Sequence, residues 1–293
     1  MAFRSSAVAR VVVGLLAAAT ACVACSDRVE VGYDSSRGGS SGSGGGTPSE
    51  GGGGGSSQCV PAECQGKTYR CGNCLDDDAD GQIDALDPDC LGPCDDTEDS
   101  YFLGIPGQNS SGCRQDCHFD RDSGAGNDGC DWTFACDALS IAPNYPPSAD
   151  ASCNYDPQTA IQGKTCADLA SGQGATCLDY CLPLVPNGCD CFGCCELPAR
   201  SGHTVWIGST AEGAGSCTRA TLSDPAACRP CTQVRSCLNI CGACEVCAGE
   251  TAPPASCGTT QATCPTGQSA CGPGASCPAG KFCITGCCVD VPR

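Results

Sequence analysis

Large apolar side chains are scarce in this 293-residue chain, with six Phe, six Tyr, two Trp and one Met. That supply is small for a chain of this length, so a conventional hydrophobic core is not expected to carry its stability. Basic residues are also few, 15 Lys and Arg against 33 Asp and Glu, for a net charge of −18. A surface this negative repels phosphate backbones and anionic lipid headgroups, which argues against nucleic acid as a partner and leaves divalent cations as a natural one. Histidine occurs twice, at His118 and His203, and neither sits in a nucleophile motif placed between a strand and a helix. The one long apolar run, Val11 to Thr20, is too short to span a bilayer stably.

What the chain has instead is cysteine. Of its thirty-four, Cys22 and Cys25 precede Ser26 and the other thirty-two fall between Cys59 and Cys288. Thirty-two is even, as full pairing requires, and this density marks a disulfide scaffold in an oxidising compartment. Each bridge closing a loop of about fifteen residues contributes roughly 3 kcal/mol by the loop-entropy estimate. The expected fold class is therefore small and disulfide-rich, mostly irregular with short strands and short helices. Several cross-linked modules would follow a disordered Gly/Ser tether.

Residues 1–24 have the form of an export signal: Arg4 and Arg10, the apolar stretch, then small residues. Cys22-Val23-Ala24-Cys25-Ser26 resembles the bacterial lipoprotein box, in which a small residue precedes the cysteine that takes the lipid. Parity favours Cys25 as that cysteine, with Cys22 as the alternative, because lipid on Cys22 leaves Cys25 an odd thiol. Residues 25–58 then form anchor and tether. Gly38 to Ser57 is almost wholly Gly and Ser, has nothing apolar to bury, and spans roughly 30 Å as a coil. The expected setting is the outer membrane or cell surface through a lipid anchor, with plain secretion as the alternative. On the resemblance, Ser26 after the cysteine permits outer-membrane sorting.

The most specific local motif is Asp76-Asp77-Asp78-Ala79-Asp80-Gly81-Gln82-Ile83-Asp84-Ala85-Leu86-Asp87. It fits a twelve-position Ca²⁺ loop, because Ca²⁺ takes six to eight hard oxygens in flexible geometry. Asp76, Asp78 and Asp80 supply carboxylates, Gln82 its backbone carbonyl, Asp84 a ligand directly or through water, and Gly81 the sharp turn. Asp87 stands where an EF-hand has a bidentate Glu, and its shorter side chain points to roughly millimolar affinity. Gly72 and Pro88 leave no room for flanking helices. The segment resembles thrombospondin type 3 and dockerin-like acidic loops, with Cys74 and Cys90 as flanking clamps.

Other features read more plainly. Asp95-Asp96 with Glu98-Asp99 reads as a solvated charge run. Asp120-Arg121-Asp122 with Asn127-Asp128-Gly129 and Asp131 matches no fixed ligand spacing and reads as a polar loop. Ser100 to Ile105 suggests a short strand, Ala167 to Leu184 two short helices, and His203 to Ser209 a strand with Val205 and Ile207 on one face. Trp132 and Trp206 are expected as packing anchors. Cys194, Cys195, Cys287 and Cys288 form vicinal pairs that suit only bridging. The Cys-x2-Cys pairs at 228/231 and 241/244 have zinc-ribbon-like spacing, and 71/74 and 241/244 resemble thioredoxin-type pairs. Both chemistries need thiols that an exported chain does not keep reduced.

Composition shifts divide the cross-linked body into 59–100, 101–200, 201–256 and 257–293. Cys71-Gly-Asn-Cys74 through Asp87-Pro-Asp-Cys90, Pro186-Asn-Gly-Cys-Asp-Cys-Phe-Gly-Cys-Cys195 and Cys283-Ile-Thr-Gly-Cys-Cys288 resemble uncharacterised cysteine-rich lipoproteins of myxobacterial type. That resemblance implies a surface setting and no particular activity. The functional expectation is a non-enzymatic, calcium-stabilised surface lipoprotein that binds a surface or extracellular ligand or protects the envelope. The alternatives are a protease inhibitor acting through 257–293, with Pro273 to Pro278 as its loop, and a secreted enzyme or redox carrier.

Overall fold

A computed structural model describes residues 59–104, 109–110, 113–121, 128–139, 153–273 and 275–292. The export signal, Cys22, Cys25 and the tether lie outside the described residues, as do Asp122, Asn127 and Ile105. The fold class expected from composition is what the chain adopts: short strands, six-residue helices and sixteen disulfides.

Four β-hairpins share one local device. Glu63–Cys64 pairs with Lys67–Thr68, Ala160–Ile161 with Lys164–Thr165, Thr210–Ala211 with Ala214–Gly215, and Lys281–Ile284 with Cys287–Asp290. Their two-residue turns are Gln65-Gly66, Gln162-Gly163, Glu212-Gly213 and Thr285-Gly286, and all eight residues have positive φ. Such turns match the twist of the flanking strands, and glycine at the second position removes half of the steric cost.

The two helices form where expected. Cys166–Ser171 starts at Thr165, whose hydroxyl accepts the Asp168 N–H while Asp168 accepts the Thr165 N–H, a reciprocal capping box. Gly172 and Gly174 separate it from Ala175–Tyr180. Cys177, in this helix, and Cys181, just beyond it, stand one turn apart, and both are buried, bridging to Cys130 and Cys117. Cys194–Glu196 pairs with Thr204–Trp206, burying Val205 and Trp206, and the Trp206 indole N–H donates to the Phe192 carbonyl at 3.1 Å. Residues 100–104 form no strand. Instead the Tyr101 N–H bonds to Cys217 and the Leu103 carbonyl to Asp96, fixing the segment across two turns of chain.

The few large side chains are concentrated rather than dispersed. Tyr101, Leu103, Phe119, Trp132, Leu169, Phe192, Leu197 and Ile207 pack with ten half-cystines into one core, and Phe134 and Trp206 meet edge to face beside it. Asp190 lies at its centre, fully buried. Its carboxylate accepts the N–H groups of Phe192, Cys194 and Val234 at 2.9, 2.9 and 2.7 Å. These three donors are what permit an acid there.

The bridges divide the chain into five contiguous blocks. Cys59–Cys74, Cys64–Cys94 and Cys71–Cys90 close the first. Cys113–Cys153, Cys117–Cys181, Cys130–Cys177 and Cys136–Cys166 close the second. The third holds Cys189–Cys195, Cys191–Cys237, Cys194–Cys231 and Cys217–Cys228, and the fourth Cys241–Cys247 and Cys244–Cys257. Cys264–Cys287, Cys271–Cys283 and Cys277–Cys288 close the last. The first block runs from Cys59 to Cys94. The joints after it do not fall at 200 and 256, because Cys191 and Cys194 reach to 237 and 231, and Cys244 reaches to Cys257. Composition changes at 200, but the covalent joints lie at 182–188, 238–240 and 258–263.

Candidate metal centre

The acidic loop sits in the first block, flanked by two bridges: Cys74 to Cys59 and Cys90 to Cys71. Its first half is organised by carboxylates that accept backbone N–H groups ahead of them. Asp76 Oδ2 accepts the Gly81 N–H at 3.0 Å, Asp78 Oδ1 that of Asp80 at 3.0 Å, and Asp80 Oδ1 that of Gln82 at 2.8 Å. Ala79 and Gly81 take φ of +66° and +94°, which curls the chain back and leaves open space at the Gly81 α-carbon.

Asp84 departs from the expected ligand set. It is buried, and its two carboxylate oxygens accept the Cys74 N–H at 3.1 and 3.0 Å. Its own N–H donates to Glu98 Oε1 at 3.0 Å, and Glu98 Oε2 accepts the Asp77 N–H at 2.6 Å. Asp84 thus ties the loop back to Cys74, and Glu98, from outside the loop, holds Asp77 and Asp84 together. Burial raises the pKa values of Asp84 and Glu98.

Asp87 closes the loop and is only 2% exposed. Its Oδ1 accepts the Asp89 N–H at 2.8 Å, while Oδ2 is buried with no hydrogen-bond partner. Burial, with the like charges of Asp89, Asp80 and Asp78, pushes its pKa to about 7. Asp89 was not singled out in the sequence, yet its Oδ1 is also buried without a partner and the charges of Asp80 and Asp78 act on it too. The Arg219 guanidinium and the Tyr101 hydroxyl attach Asp89 to the main body. Its signal was present in Asp87-Pro88-Asp89, where a second carboxylate falls two residues past the twelfth position. Gln82 contributes its side-chain amide to Asp80 Oδ2 at 3.0 Å.

The Asp95–Asp99 run is not simply solvated. Asp95 is fully buried, accepting the N–H groups of Leu91 and Thr97 at 3.0 and 3.1 Å, and Glu98 is the brace just described. Asp96 and Asp99 are the members that keep solvent contact. Their alternation with the buried pair, in a chain turned by Pro93, is why charge density alone misread the segment. The second acidic cluster is likewise structural where described. Asp128 accepts the N–H groups of Cys117 and Cys130 at 2.9 and 3.1 Å, and Asp131 pairs with Arg114 at 2.9 Å. Arg121 stacks on the Tyr69 ring, 4.0 Å from its centroid.

The cysteine motifs resolve without thiols. Among the described residues no Cys-x2-Cys pair closes on itself: Cys228 and Cys231 go to Cys217 and Cys194, and Cys241 and Cys244 to Cys247 and Cys257. The vicinal pairs split as well, Cys194 to Cys231 and Cys195 to Cys189, Cys287 to Cys264 and Cys288 to Cys277. His118 is buried against Gly193, Phe119 and Trp206, and burial pushes its imidazole down to about 3. His203 Nδ1 lies 3.0 Å from the Leu197 carbonyl. Gly272 and Ala275 exchange two backbone bonds at 3.0 and 2.9 Å, and Gly274 of the 273–278 segment lies outside the described residues. Among the described residues no helix is long and apolar enough to cross a membrane. Sixteen disulfides belong to an oxidising, extracytoplasmic compartment. Compared with family models, curated proteins and solved structures, the chain matches none.

Proposed function

We propose that this chain is a non-enzymatic, calcium-stabilised lipoprotein of the cell surface, anchored through Cys25 and displaying its disulfide-rich body for binding or protection. The observation that carries the calcium reading is Asp87: a carboxylate 2% exposed, one oxygen without a partner, surrounded by the charges of Asp78, Asp80 and Asp89. A buried carboxylate facing half-buried and exposed like charges is unfavourable unless a cation or protons neutralise it. Hard oxygen donors of this number suit Ca²⁺. In this reading Asp76, Asp78, Asp80, the Gln82 carbonyl and Asp87 hold the ion, and Asp89 replaces Asp84, whose oxygens are committed to Cys74. The ion neutralises the loop and stiffens a block whose own apolar clusters are small.

The test is a Ca²⁺ titration of the whole mature chain, followed by protease resistance of the 59–94 block. Protection that rises in the millimolar range and is lost in Asp80→Ala supports the reading. No protection at about 10 mM, some tenfold above the expected Kd, or equal protection in Asp80→Ala, sinks it. Mass determination of the exported protein from its native host tests the anchor, since lipid on Cys25 adds the mass of its acyl groups.

A further inference from the structure

We infer that the free edge of the C-terminal hairpin, with the cleft beside it, binds a short extended peptide that carries apolar and basic side chains. The inference gives a ligand class to the binding role proposed above, and rests on that role only for its surface setting.

The hairpin register pairs Ile284 with Cys287, Phe282 with Val289, and Cys283 with Cys288 across the Thr285-Gly286 turn. The Cys288 N–H points out of the hairpin, donating to the Ser269 carbonyl at 2.9 Å. Cys283 and Cys288 are therefore a pair that exchanges no backbone bond, and Cys283 presents its N–H and C=O on the opposite edge. The Cys288 edge is covered by 269–271, with a bridge from Ala270 to Cys287. The Cys283 edge pairs with no strand, and its N–H and C=O find no hydrogen-bond partner among the described residues.

An unpaired edge becomes a peptide site when pockets lie alongside it. Lys281, Phe282 and Cys283 of this strand line a cleft of about 630 Å³, whose other walls are the 59–63 segment, the 83–86 turn and residues 275–280. That volume is in the range of small-ligand sites. Its apolar lining includes Val60, Ala62, Ile83, Leu86, Pro278 and Phe282. Its charged lining residues are Glu63, Asp84 and Lys281. Lys281 is already paired with Asp290 at 2.8 Å, whereas Glu63 is exposed and has no ion pair among the described residues. The cleft is thus net negative on a chain of net charge −18, which selects a cationic occupant. Main-chain pairing to Cys283 sets the extended conformation, and alternate side chains enter the cleft.

The test uses the full mature chain and a labelled acetyl-Lys-Val-Ala-Val-Lys amide, read by fluorescence anisotropy and by hydrogen exchange at Cys283. The expected result is slowed exchange of the Cys283 amide. N-methylation of alternate peptide amides is expected to weaken binding about tenfold, the value of one or two backbone bonds. Glutamate in place of the peptide lysines, Glu63→Lys, and Ala279→Trp, which fills the cleft, each weaken it as well. Equal binding by the N-methylated peptide overturns the inference. So does no binding at about 1 mM, the weak limit of a specific site, by a chain whose sixteen bridges and calcium response are intact. Peptide binding without a calcium response overturns the calcium reading alone.

Discussion

Replacing Asp87 by Asn separates the two costs that meet at this carboxylate. Without metal, Asp87 holds its proton up to about pH 7, against roughly 3.9 for a free aspartate. The folded state then binds more protons than the unfolded one between pH 4 and 7, so the first block loses stability as pH rises through that window. Three pH units correspond to about 4 kcal/mol at full strength, and solvent screening reduces this to roughly 2. Burial acts in the same direction on Asp84, Asp89 and Glu98. Calcium at tenfold its Kd returns about 1.4 kcal/mol. In the metal-free wild type, hydrogen-exchange protection factors in 59–94, corrected for the intrinsic rate, are therefore lower at pH 7.5 than at pH 5, and Ca²⁺ raises them. Asp87→Asn is expected to flatten both responses, gaining protection in chelator at pH 7.5 and losing most of the calcium effect. A wild type that gains protection from pH 5 to 7.5 without metal, or a variant with an undiminished calcium response, refutes the reasoning.

Three further outcomes follow from individual contacts. Asp84→Asn weakens the tie to Cys74 and lowers protection without metal, but leaves the calcium midpoint nearly unchanged, whereas Asp89→Asn shifts that midpoint upward; isothermal titration of both variants distinguishes them. Asp190→Asn puts an amide donor where three backbone N–H groups converge, and is expected to destabilise the core by about 2–4 kcal/mol, measured by urea unfolding with disulfides intact. Gly193→Ala combines a φ of +81° with a new Cβ 2.8 Å from the His118 ring, and is expected to cost about 2 kcal/mol or more in the same assay.

The sequence made some of this architecture legible because the relevant signals were local. The two short helices within 167–184 and the gap between them at Gly172 to Gly174 needed only neighbouring residues. The same is true of the acidic loop, where Gly81 and the alternate aspartates specify a turn within six residues. The Gln-Gly, Glu-Gly and Thr-Gly turns were equally local, but with strands of only two to four residues there was little alternation to flank them. Burial of Asp95, Glu98 and Asp190 was not legible, because each is satisfied by N–H groups that only the folded chain brings together. The same limit hid Asp89, whose partners Tyr101 and Arg219 lie 12 and 130 residues further on, as their numbering shows. Disulfide pairing was illegible for the reason that Cys-x2-Cys spacing is shared by redox pairs, metal ligands and bridges that diverge.

The five-block arrangement of the disulfides also determines how the protein wears. A cut inside a block leaves both ends fastened by a bridge, so such damage stays attached and the piece can keep its place. Only the joints are without this insurance. The joint at 182–188 exposes only Pro183 and buries Leu184 to Pro186, which leaves a protease little extended chain to grip. The joint at 258–263 is exposed along almost its whole length and carries no bridge. One cleavage there leaves the last block held by packing alone, and its departure takes the Cys283 edge with it. Protein cut at 258–263 and run on a non-reducing gel is expected to release this C-terminal block and no part of the third or fourth.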